Sequence, residues 1–244
     1  MAIDLVAEYA ERARIEIGPK TVIVEGRSDV DLLSLAANLE AQYSGNVMFS
    51  EGFVVSACGG GNEGGARGVI DELTTLWGIS RRELKSNGRP KYRIVGLLDN
   101  DDAGRRAIHG AKQTNRMVKE FRELFRLHPI MPSSGNLDAK SLARSFDKFN
   151  QEFSGLDWEI EDAISDDFVE IFLEEHPEVA ARTQCVGNKI HRDFSWDGKA
   201  KLKKFTEEYA AREDLLGIIE ILNSLRFIMG MKTFALTDFC KRTD

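Results

Sequence analysis

Cysteine is scarce in this 244-residue chain. The three present, Cys58, Cys185 and Cys240, are far apart and odd in number. That excludes a disulfide framework or a zinc site and points to a reducing cytoplasm. No stretch approaches the ~18 uninterrupted apolar residues of a membrane span. The opening MAIDLVAEYAERARIE lacks the basic start and apolar centre of a signal peptide. A basic surplus is missing too: 33 Lys and Arg against 40 Asp and Glu leave a net charge of −7. A protein that coats nucleic acid by bulk charge is therefore excluded. An enzyme that meets nucleic acid through a local patch or bound cations is not. There is no internal repeat, low-complexity tract or flexible linker. With 42% hydrophobic residues, the chain can bury a sizeable core.

The first 130 residues alternate between two patterns. Residues 4–15 read as an amphipathic helix, and KTVIV (Lys20 to Val24) as a buried strand. Helical spacing follows over 28–39 behind Ser28, a candidate N-cap. A second strand is expected over 52–57, a helix over 66–77, a third strand over 92–98 (YRIVGLL) and a long helix over 103–125. A fourth strand is expected over 127–131, although Pro129 interrupts it. Strand, turn and helix in repetition predict an α/β fold: a Rossmann-like central parallel sheet of about four strands flanked by helices. After Pro132 the texture changes. An acidic segment, 159–178, and two later segments, 198–212 and 213–230, read as helices. Residues 1–132 are thus read as the core, and 133–244 as a mainly helical C-terminal extension packed on it.

Three features fall just after predicted strands, the edge where open parallel sheets bind ligands. The first is Glu25-Gly26-Arg27-Ser28-Asp29. Its two acids lie about one helical turn apart and can face one site. The second is Asp99-Asn100-Asp101, whose acids at i and i+2 of an extended segment point the same way. They repel unless a hard cation such as Mg²⁺ sits between them. The third is a loop with five glycines among residues 59–65, including Gly60 and Gly61 beside Asn62. Such a loop can bring backbone N–H groups to an anion, though it is not a Walker A loop.

The ordered set VIVEGRSD, glycine-rich loop and VGLLDNDDAG resembles the Toprim domain. That is the metal-binding α/β fold of topoisomerases, bacterial primases, recombination-mediator proteins and OLD (overcoming lysogenization defect) nucleases. The resemblance spans roughly residues 18–132. It implies that Glu25 is a metal ligand or proton-transfer group, that Asp99 and Asp101 hold Mg²⁺ or Mn²⁺, and that Asp29 shares a second ion. Beyond it, Trp158-Glu159-Ile160-Glu161-Asp162 is similar to the later Glu-containing segment of OLD-type nucleases. Asp197-Gly198-Lys199-Ala200-Lys201 is similar to their lysine motif. Glu159 and Glu161 stay open as the added metal ligand, and Lys199 and Lys201 as the catalytic lysine. The chain lacks the ATPase domain that such nucleases carry, so a partner protein with ATPase or sensor activity is an implied partner. A defence role would suit that arrangement.

Arg105, Arg106, Lys112, Arg116, Lys119, Arg122 and Arg126 face only two acids in their segment. They suggest a basic helix face for phosphate contacts. His109 and His128 are read as incidental. Trp77, Trp158 and Trp196 are read as packing rather than as base-stacking platforms. The expectation is a metal-dependent nuclease, with DNA favoured over RNA as substrate. A primase-like nucleotidyl transferase, or a non-catalytic subunit using the apolar 213–230 face as an interface with a partner or a second copy, are the alternatives.

Overall fold

The structure, a computed structural model, describes residues 4–61, 64–114, 118–179 and 181–235. In chain order the elements are α1 (Leu5–Ala13), β1 (Lys20–Val24), α2 (Arg27–Ser44), β2 (Phe53–Ala57), α3 (Ala66–Ser80), β3 (Arg93–Leu98), α4 (Asp102–Thr114), β4 (Leu124–Arg126), α5 (Ala139–Asn150), α6 (Asp166–Glu175), β5 (Ala181–Val186), β6 (Lys189–Phe194), α7 (Trp196–Tyr209) and α8 (Leu216–Ile228). The first four strands form one sheet in the order β2-β1-β3-β4, parallel throughout. This is the α/β, Rossmann-like architecture that the sequence pattern predicts.

Side-chain alternation along the central strands builds two apolar layers. Val22, Val24, Val95 and Leu97 face a cluster shared with α2, α5, α6, α7 and α8. Ile23, Ile94 and Leu98 face the opposite cluster, shared with α1, α3 and α4. Both faces of the central strands are covered, which is why KTVIV and RIVGLL read as apolar runs.

Helix α8 belongs to this core. Leu215, Ile218, Ile219, Leu222 and Leu225 are fully buried. The apolar 213–230 face is therefore spent inside the molecule and is not an open interface. Polar ties fasten it: Arg226 donates to Met48 O at 2.6 Å, Ser224 to Met131 O at 2.8 Å, and Arg93 to Ile228 O at 2.9 Å. No helix among the described residues is long and apolar enough to cross a membrane.

Four expectations need correction. The long helix is described to Thr114 rather than 125, and the chain from 118 to 123 is not helical, with Phe121 at a left-handed φ of 63°. The fourth strand is 124–126 rather than 127–131, since the segment with Pro129 and Pro132 cannot sustain a ladder. The extension also contains an antiparallel hairpin of β5 and β6. In addition, the 159–178 segment is broken: a 3₁₀ turn over Ile160–Ala163 precedes α6, which starts afresh behind its Ser165 cap.

Candidate functional site

Strands β1 and β3 are neighbours, with Ile23 paired to Gly96, so their carboxyl ends lie side by side. Glu25 and Asp99 follow those ends. The Asp99 N–H donates to Glu25 Oε1 at 3.0 Å. Asp29 lies in the first turn of α2, where its Oδ2 accepts the Gly26 N–H at 2.9 Å and closes a capping box. Asp101 Oδ1 accepts the Gly104 N–H at 2.7 Å. One Asp101 oxygen is thus committed to the start of α4.

Two glycines permit this crowding. A Cβ on Gly104 would stand 2.1 Å from the Asp99 carbonyl oxygen. Gly104→Ala is therefore expected to displace the Asp99 segment and to cost about 1–3 kcal/mol in denaturant melts. Unchanged stability would contradict this packing. In the glycine-rich loop, the Gly65 N–H donates to Glu25 O at 2.9 Å, and a Cβ on Gly64 would stand 2.6 Å from that same oxygen. These glycines brace the backbone of Glu25. Gly60 and Gly61 lie in a 3₁₀ turn, Cys58–Gly61, directly after β2. Asn62 and Arg116 fall outside the described residues.

The remaining acids arrive from the extension. Asn100, between Asp99 and Asp101, pairs with Trp158 as an isolated antiparallel bridge. Its N–H donates to Trp158 O at 2.8 Å, and the Trp158 N–H returns at 3.3 Å. That bridge carries the buried Glu159 and Glu161 to the sheet edge. Lys199, one turn into α7, places Nζ 2.8 Å from Glu159 Oε2 and 3.7 Å from Glu161 Oε2. Lys201 lies two residues on, about 200° around the helix. It pairs instead with Glu178 and Asp197, each at 3.1 Å. The structure thus brings Glu25, Asp29, Asp99, Glu159, Glu161 and Lys199 together and places Lys201 elsewhere.

The acids raise one another. Burial and the Asp29, Glu25, Glu161 and Glu159 charges push the Asp99 carboxyl well above the usual range. Burial, with Asp29 and Asp101, takes Glu25 to about 7, against the hydrogen bond from Asp99. Burial also takes Asp29 to about 6, and Glu161 to about 7 with help from Asp29 and Glu159. Glu159 is raised by burial, with Lys199 opposing. Burial works against the Lys199 ammonium, but Glu161 and Glu159 outweigh it and hold its pKa well above the ordinary lysine range. Glu159 Oε2 and Glu161 Oε2 are both buried without a hydrogen bond; the Lys199 contact to Glu159 is an ion pair without hydrogen-bond geometry.

Among the described residues, no three His, Cys, Asp or Glu side chains are gathered tightly enough to hold an ion as they stand. The donor set is nonetheless all hard oxygen and mutually repelling, and Glu159 Oε2 and Glu161 Oε2 accept no hydrogen bond, the Lys199 ammonium being their counter-charge. This chemistry fits Mg²⁺ or Mn²⁺. Mg²⁺ in particular is usually held by one or two carboxylates, waters and substrate phosphates rather than by an all-protein cage.

The expected basic face is largely neutralised. Arg105 lies 2.6 Å from Asp102 and 2.7 Å from Asp157. Lys112 and Arg126 both pair with Glu120. Lys119 is not helical, because α4 has already ended. Arg106 is exposed on α4.

Sequence reasoning missed Asp162 as the brace of the acidic turn. Its Oδ2 accepts the Glu159 N–H at 2.8 Å and its Oδ1 the Arg192 N–H at 3.0 Å, and its Oδ2 also lies 2.7 Å from His191 Nδ1. The capping-box spacing of Glu159 and Asp162 was the available signal; the partners some 30 residues on in β6 carried none. Comparison with protein-family models, with curated proteins and with solved structures returned no match.

Proposed function

We propose that this protein is a Toprim-like, divalent-metal-dependent nuclease that hydrolyses phosphodiester bonds in nucleic acid, with DNA the favoured substrate. One observation carries this reading. Five carboxylates from three separate parts of the chain meet one lysine, Lys199, at the carboxyl edge of a parallel sheet. Such a concentration of desolvated like charge is costly to maintain without a function.

Asp99 and Asp101 would hold a first ion with Glu25 beside it, and Asp29 with Glu161 a second. When bound, such an ion would supply a Lewis acid for the phosphodiester and lower the pKa of a water nucleophile. The chain's own residues do the rest. The Asp99 N–H fixes the rotamer of Glu25, which accepts the proton of the attacking water. Lys199, already charged and oriented by Glu159, faces the negative charge that builds on the phosphate. Asp162 keeps the Glu159–Glu161 turn in place.

An end-labelled oligonucleotide incubated with Mn²⁺ and free nucleotides tests the reading. Shortened products support hydrolysis. Products longer than the starting strand would replace it with nucleotidyl transfer on the same site.

A further inference from the structure

Three tryptophans occur in the chain, and they differ sharply. Trp158 is 3% exposed within the core. Trp77 is half-buried on α3, with Arg81 at 4.6 Å over its ring. Trp196 is 86% exposed, against the expectation that it serves packing. An indole in water forgoes burial of roughly 150–250 Å² of surface, and tryptophan is highly buried on average. The fold therefore gains nothing from Trp196 at this position.

Its location supplies a use. Trp196 opens α7, whose Ser195 cap accepts the Gly198 N–H at 3.1 Å. Residues three and four apart share a helix face, so Trp196, Lys199 and Lys203 form one stripe. Only the middle of the stripe meets the acid cluster, where Lys199 reaches Glu159 at 2.8 Å; its inner end, Lys203, pairs instead with Asp31 on α2 at 2.5 Å. Trp196 stands at the outer end of that stripe, one turn before the lysine.

We propose that Trp196 is a stacking platform for an unpaired base of the nucleic-acid strand, which holds the neighbouring phosphate toward Lys199; this rests on the nuclease reading above. Flat π-faces are common to all bases, so the contact is sequence-tolerant. A base can lie on an indole only when it is free of its own stack, so the site engages single-stranded or locally opened nucleic acid. A protein partner is the weaker reading of the same indole, because the shared face leads to Lys199 and the acids rather than to a broader apolar patch.

The test is binding in EDTA, which separates it from cleavage. A short oligothymidylate is titrated against the full chain while tryptophan fluorescence is read, and a duplex of matched length serves as comparison. Wild-type fluorescence is expected to be quenched by the single strand. Trp196→Ala should bind it roughly 5- to 150-fold more weakly, the range for one lost base–aromatic stack, with duplex affinity unchanged. Trp196→Phe should recover most of the affinity without the quench. Since the side chain is 86% exposed, all forms should melt alike. Equal single-strand affinity in the wild type and Trp196→Ala would overturn the platform, as would an equal loss for duplex, or a wild type that binds no nucleic acid. Single-strand binding with quench but no metal-dependent cleavage of any substrate would overturn the nuclease reading and leave the platform standing.

Discussion

Glu25→Gln is expected to leave a folded protein whose phosphodiester cleavage is reduced by a factor on the order of 10²–10⁴, the usual range for loss of a positioned proton-transfer group. The amide keeps an oxygen to accept the Asp99 N–H, now 3.0 Å from Glu25 Oε1. Bracing of the Glu25 backbone by Gly64 and Gly65 is untouched. What disappears is a charge that Asp29 and Asp101 already oppose. The metal-free variant should therefore melt at or above the wild-type temperature near neutral pH while its activity falls. That combination separates a functional acid from a structural one. Loss of stability together with activity, or full activity, would remove Glu25 from the site.

Stability of the metal-free protein is expected to fall as pH rises from about 5 to about 8, and a divalent cation should reverse the fall. The sign follows from which state holds more protons. Glu25 and Glu161, ordinarily at 4.5, are raised to about 7, and Asp29, ordinarily at 3.8, is raised to about 6. Between the unfolded and folded values the native state binds more protons than the unfolded chain. Stability contributed by these groups is thus fully present below the unfolded values and is lost as pH rises through the folded ones. Each tenfold strengthening of proton binding on folding corresponds to about 1.4 kcal/mol. The three groups share one field, and Glu25 and Asp29 are partly solvated, so the total is about 2–4 kcal/mol, roughly 5–15 °C in Tm for a chain of this size. Melting curves in EDTA across that range check it. Adding Mn²⁺ should raise Tm most at the alkaline end, and Glu161→Gln should flatten the slope. A metal-free Tm that climbs across the window would contradict the assigned repulsion.

Much of the sheet was legible because its central strands are buried on both faces. An unbroken β-branched run such as KTVIV has few other uses. The strand ends were legible for a related reason: a carboxylate placed directly after a buried strand is costly, and Glu25 and Asp99 both stand there. The segment after α4 was not legible. Arg105, Lys112, Arg116 and Lys119 keep helical spacing on paper, yet Glu120 draws Lys112 and Arg126 together. Ion pairs at separations of eight and six residues leave no periodic trace. Choosing between Lys199 and Lys201 needed the phase of α7 relative to the sheet, which depends on Leu202 and Phe205 packing into the core. The meeting of Asp99 with Glu161 hangs on one backbone bridge, Asn100 to Trp158; backbone pairing between sequence-distant loops has no side-chain signature. Trp196 shows the limit from the other side, since residue type alone suggests packing and only its exposure reveals otherwise.

The most direct test of the account is cleavage by the wild-type chain. Supercoiled plasmid, linear duplex, single-stranded DNA and RNA are each incubated with pure protein in EDTA, in Mg²⁺ and in Mn²⁺. The account predicts no cutting in EDTA, cutting with either cation, and DNA cut faster than RNA. Cutting that persists undiminished in EDTA, or intact substrates in both cations with protein that those cations stabilise, would contradict it.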